Sequence, residues 1–168
     1  MLRVLVPSDG SANSLRGIRY VVNEWMKTPN IDIHVLNVQP PFSKHVARFI
    51  SAASRMAFHQ EKTEAALAPA RQALNRAGVS YTIHTDIGDR ADCIADAARR
   101  LQCDRIVMGT ARKSSLVRWV EDSVTNKVIE RTSVPVEVIA GDDASSLERV
   151  GIPAGVAAGI FLLLTVSS

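Results

Sequence analysis

The side chains equipped for chemistry fall into three sets: a Pro7-Ser8-Asp9-Gly10 loop followed by Ser11 and Asn13, a basic stretch Ala111-Arg112-Lys113 with Arg118 nearby, and four histidines with two cysteines. The loop offers a carboxylate and several hydroxyl and amide groups to a polar ligand. Taken alone, Asp9 with Gly10 makes a turn and Ser11 or Asn13 caps the next helix, roles such residues fill without any ligand. The basic stretch can hold an anion or stand as a solvated loop. His34, His45, His59 and His84 fall on different expected elements, and none has a carboxylate or cysteine at metal-ligand spacing. A Ser/His/Asp triad lacks any placed nucleophile, because no G-x-S-x-G elbow occurs. Cys93 and Cys103 read as small buried hydrophobes. The sequence therefore points to no catalytic residue and no metal.

Alternating segments must position these loops. Leu2 to Val6 is a β-favouring run that ends at Pro7. Leu15, Ile18, Val22, Trp25 and Met26 form one helical stripe, and Thr28-Pro29-Asn30 breaks it. A second strand runs from Ile31 to Val38 and closes at Gln39-Pro40-Pro41. Residues from Lys44 to Ala77 are helix formers, expected as one long or two abutting helices with a break or kink at Pro69 and a stop at Gly78. A third strand is expected at Tyr81 to Thr85, a helix over Ala91 to Leu101, and a fourth strand over Arg105 to Met108 that runs into Gly109. Val117, Val120, Val124, Val128 and Ile129 mark a further helix, and Val134 to Ile139 a fifth strand. Strands alternating with long helices predict an α/β fold, a five-stranded parallel sheet with helices on both faces, doubly wound. In such sheets ligands bind beyond the carboxyl ends of the strands, so the loops at Pro7 to Asn13, Val38 to Pro41 and Gly109 to Ser115 carry any function.

Composition narrows the class. In 168 residues, 46% hydrophobic and 22% charged describe a folded domain rather than a disordered chain or a polytopic membrane protein. A net charge of +3, with basic residues scattered among acidic ones, gives no electrostatic footprint for nucleic acid. Two cysteines make no disulfide framework, which points to a reducing compartment, and the short N-terminal apolar run is no signal peptide. The expected localisation is cytoplasmic.

Three segments, VLVPSDGSANS at Val4 to Ser14, DRIVMGT at Asp104 to Thr110 and SVTNKVIERTSVPVEVI at Ser123 to Ile139, occur in the order and spacing of one βαβ layout. Together they resemble the universal stress protein family over residues 1–140. The resemblance implies an adenine nucleotide alpha hydrolase-like fold, a dimer, and an ATP site in those members that carry G-x2-G-x9-G-[ST] after the fourth strand. Here Gly109 holds the first position, Arg112 and Asp122 replace the second and third glycines, and Ser123 keeps the final hydroxyl. The glycines serve close approach of backbone amides to phosphate oxygens; Arg112 and Asp122 put side chains into that space, and a carboxylate there repels phosphate. Arg112 can instead contact phosphate directly. The resemblance places Pro7, Asp9, Val38, Met108, Gly109, Arg112, Ser114 and Ser123 at the pocket, which is read either as degenerate or as still holding ATP or AMP. It also implies a homodimer through the fifth strand, Val134 to Ile139.

After residue 140 the composition shifts. Residues 141–149 form a polar linker, and the 19 residues from Val150 to Ser168 carry no charge, with Gly151, Gly155 and Gly159 at four-residue spacing. This tail is read as a membrane anchor, as a segment packing on the dimer, or as a disordered end. The expectation is a non-enzymatic, dimeric stress-response binding module. Its alternatives are a nucleotide-responsive switch and an adaptor that meets a membrane or a protein partner through Val150 to Ser168.

Overall fold

A computed structural model of the chain describes residues 1–110 and 124–140. The linker and tail beyond residue 140 lie outside the described residues, and so do Val117 and Val120 of the last expected helix. Five strands, β1 (Leu2–Pro7), β2 (Ile31–Gln39), β3 (Tyr81–Ile87), β4 (Arg105–Thr110) and β5 (Val136–Ala140), form one sheet in the order β3-β2-β1-β4-β5. Every pairing is parallel. Such strands must be apolar on both faces, and Val4, Leu5, Val6, Ile33, Val35 and Leu36 are indeed wholly buried.

The crossovers are α1 (Ala12–Lys27), the short α2 (Lys44–Ala47) with α3 (Ala52–Arg76), α4 (Arg90–Arg100) and α5 (Val124–Arg131). One core layer joins Val4, Val6, Ile33 and Val35 to Ile18 and Val22 of α1 and to Leu67 and Leu74 of α3. The other joins Leu5, Leu36, Ile106 and Met108 to Ile94 and Ala98 of α4 and to Val128 of α5. The chain order reverses between β1 and β4, where the loop after β1 enters α1 on one face and α5 lies on the other. A crevice must open there.

Three expectations change. Pro69 does not break the helix: α3 runs 25 residues through it. A proline removes one N–H donor and crowds one carbonyl, and here the buried stripe of Thr63, Leu67, Ala70 and Leu74 holds the helix on both sides of that defect. The break falls earlier, between α2 and α3, where the Ser51 hydroxyl accepts from Ser54 N at 3.1 Å and the Arg55 guanidinium donates to Ala47 O at 2.6 Å. At its other end α3 stops as expected, with Gly78 at φ +66° and Val79 N donating back to Leu74 O at 3.1 Å. The third strand continues past Thr85 to Ile87, held by its register against Gln39. The fifth begins at Val136 rather than Val134, since Pro135 has no N–H for the ladder and only its carbonyl is used, by Ile106 N at 2.9 Å. Among the described residues no helix is long and apolar enough to cross a membrane.

Candidate functional site

The loop after β1 is built by its own short polar side chains. Gly10 takes φ +81°, and a Cβ there would come within 2.9 Å of Ala66 Cα, so the loop can lie against α3 only with glycine at this point. Ser11 is the helix cap, accepting from Ser14 N at 3.1 Å, and Asp9 Oδ1 accepts from Ser11 N at 3.0 Å. Asn13 is not the cap; its side-chain oxygen accepts from Arg16 at 2.9 Å. A buried amide anchors the loop from below: Asn37 Nδ2 donates to Ser8 O at 2.7 Å, while its Oδ1 accepts from Thr63 at 3.2 Å and Gln39 at 2.7 Å. One side chain thus fixes β1, β2 and α3 relative to one another at the carboxyl end of the sheet.

Gly109 has a packing reason to be glycine. A Cβ there would fall 1.8 Å from Asn13 O and 3.0 Å from Gly17 N, so the first turns of α1 sit directly on the β4 backbone. The one glycine kept from the phosphate motif is accounted for by helix-on-strand contact.

Between these parts lies a cavity of about 220 Å³. Pro7, Asp9, Val38, Met108 and Gly109 all line it, as does Thr110. Arg112, Ser114 and Ser123, with Asp122, lie outside the described residues. Its wall is divided: Leu36, Val38, Ile94 and Met108 make an apolar side, and Ser8, Asp9, Ser11, Asn13 and Ser14 a polar one. An amphipathic ligand with a flat apolar part and hydrogen-bonding groups suits such a lining. Burial raises the Asp9 carboxyl, but hydrogen bonds from Ser11 and Ser14 and the positive charge of Arg90 outweigh it and hold the group below its ordinary value. Asp9 is therefore an anion at neutral pH, ready to accept from hydroxyl or amino groups.

Arg90, the first residue of α4, has no counterpart among the expected site residues, and neither does Ile94 one turn on. Arg90 also lines a second cavity of about 350 Å³, which shares Asp9 and Val38 with the first and adds Gly10, Gln39 and Lys62. No motif marks Arg90 or Lys62; only the fold brings them to the same opening.

The remaining reactive side chains lie elsewhere. His34 and His84, expected apart, meet across β2 and β3 with 2.8 Å between His34 Nδ1 and His84 Nε2, and His34 Nε2 lies 3.1 Å from Asp32. Burial, the His34 charge and Arg100 hold His84 below its ordinary value. Burial pushes the Cys103 thiol up to about 11, and burial together with four aspartates raises Cys93, so neither is an activated nucleophile. Among the described residues no cluster of three His, Cys, Asp or Glu is placed to hold a metal ion.

The universal stress protein family model matches residues 1–140. The stress response protein NhaX of Bacillus subtilis is 26% identical over 161 residues, spanning 82% of this chain and 96% of its own. Among solved structures, a universal stress protein in complex with cAMP superimposes at a TM-score of 0.62 with 19% identity, over 82% of this chain and 96% of that one. An Arabidopsis thaliana family protein with AMP bound gives 0.61 and 16%, over 85% and 94%. At those identities the structural likeness speaks for the fold, and the doubly wound sheet described above is the one they share. A family match spanning all five strands leaves one assignment: the chain belongs to the universal stress protein family.

Proposed function

We propose that this chain is a non-enzymatic stress-response module that binds an adenine nucleoside monophosphate at the carboxyl end of β1 and β4. The observation that carries this reading is the half-apolar, half-polar cavity at the point of strand-order reversal, with Asp9 ionised on its polar side. The AMP and cAMP held by proteins of the same fold support the ligand class. Two features favour a monophosphate over ATP. Gly109 is committed to packing against Asn13, and Arg112 and Asp122 stand where a triphosphate cradle needs glycine. Among the described lining residues Asp9 is the sole carboxylate, and no histidine or cysteine joins it, which supports binding without turnover.

The module acts as a homodimer through β5, the edge strand of the sheet, where Val138 is 41% exposed. Val138→Lys is expected to shift the sedimentation coefficient from dimer to monomer; an unchanged value would move the interface elsewhere.

Calorimetric titration of adenosine, AMP and ATP, followed by chromatography of the recovered nucleotide, tests the ligand. The expected result is binding of adenosine and AMP, no tighter binding of ATP, and no product. Heat from none of the three, or accumulating product, would overturn the reading. Arg112→Gly with Asp122→Gly is expected to raise ATP affinity selectively.

A further inference from the structure

We propose that Arg90 and Lys62 hold the ligand's phosphate in the second cavity, on the α3 and α4 side of β2, in place of an amide cradle after β4. This rests on the reading that the first cavity takes an adenine nucleoside.

Three observations carry it. First, Arg90 lines both cavities, so the two are successive parts of one opening that turns across the end of β2 at Val38. A ligand lodged by its apolar part against Val38 and Met108 can extend its polar end that way. Second, the cations of the second cavity are unspent. Among the described residues neither Arg90 nor Lys62 has an ion pair. Lys62 rests 5.4 Å over the Phe58 ring, and Arg90 acts on Asp9 only through space. Arginines at positions 3, 55, 71, 99, 105 and 131 are engaged by carboxylates or carbonyls, and Arg19, Arg48 and Arg76, also without an ion pair among the described residues, line neither cavity. Third, the two side chains come from opposite layers, Lys62 from α3 and Arg90 from α4, and so approach the end of β2 from both faces of the sheet. That is a clamp with a fork donor on one side and a point charge on the other, suited to a phosphate monoester or diester. Asp9 lies between the two cavities, and its hydrogen bond from Ser11 partly neutralises the repulsion it would exert on the anion.

Adenosine and AMP, titrated into the full chain at low and moderate salt, separate the two readings, because only AMP carries the anion. The expected result is AMP binding about tenfold or more tighter than adenosine at low salt, with the gap closing as salt rises. Lys62→Gln should weaken AMP several-fold and leave adenosine unchanged; Arg90→Gln, whose side chain lines the first cavity too, should lower the AMP-to-adenosine ratio several-fold; and the two together should bring AMP to the level of adenosine. Both side chains are exposed, so the melting temperature of each variant should match the parent. Arg90→Lys should keep part of the preference. An AMP-to-adenosine ratio unmoved in the double variant, or lost instead in Arg112→Gln with Lys113→Gln, overturns the clamp while leaving nucleoside binding intact. Failure of adenosine itself to bind takes down both readings.

Discussion

At the amino end of the sheet every cation in the strands is matched, whereas at the carboxyl end Arg90 and Lys62 stand beside a cavity with no ion pair among the described residues. Arg3 reaches Asp32 at 3.1 Å and Leu101 O at 2.7 Å, and its own backbone N–H is taken by Asp104. Arg105 bridges Glu24 of α1 and Glu137 of β5, and the Tyr20 hydroxyl sits on the same two carboxylates. The hydrogen bond to Glu137, burial and the surrounding negative charge push that phenol up to about 12. Charges so paired tie elements together and have little left to offer a ligand. Arg90, held only by the through-space attraction of Asp9, and Lys62, resting over the Phe58 ring, keep their charge available to an anion. Counting charges in the sequence cannot tell the two kinds apart, since both ends draw on the same residue types.

The sharpest way to break this contrast is at Gly109, the motif glycine that belongs to packing. Gly109→Ala is expected to destabilise by about 3–5 kcal/mol or to abolish folding, read as the urea midpoint, because the new Cβ has nowhere to go against Asn13 O. A mild effect would return Gly109 to the phosphate site. Next, Asn37→Ala should cost about 2–3 kcal/mol and weaken adenosine as well, since Ser8 O and Thr63 lose a buried partner and the loop holding Asp9 loosens. Arg105→Met at the opposite end should cost about 1–2 kcal/mol, the partial exposure of the network limiting the loss, and leave AMP affinity untouched. A change in AMP affinity there would dissolve the distinction between the two ends.

The smallest effect is a pH slope. His34 Nε2 faces Asp32, Arg3 faces the same carboxylate, and His84 lies between His34 and the Arg100–Asp86 pair. Burial, with His34 and Arg100 beside it, makes the folded state favour neutral His84, whereas the unfolded chain takes up a proton near the ordinary value of 6.5. Stability is whole above that value and declines as pH falls below it. The urea midpoint should drop between pH 7.5 and 5.5, and His84→Gln should flatten the drop.

The strands and their parallel order were readable because Val, Ile and Leu runs alternate with helical stripes, and the family resemblance, not the strand pattern, put Pro7, Asp9, Val38, Met108 and Gly109 at the pocket. A break at Pro69 did not form because the local rule met a buried stripe long enough to override it. Asn37 and Thr63 are 26 residues apart and join only when α3 settles on β2. His34 and His84 meet through the register that sets Leu36 beside His84. Arg90 looks like any first-turn helical residue, and its significance lies wholly in which strand end the helix departs from.

Lys62 and Arg90 belong to helices that the sheet holds apart, and their layers share no core. A small molecule gripped by both would act as a rivet through the two layers, resisting the separation of α3 and α4 from the sheet that local unfolding requires. Its binding free energy would add to the unfolding free energy in proportion to the logarithm of ligand concentration. The survival of the folded protein against proteases would then follow the concentration of that ligand.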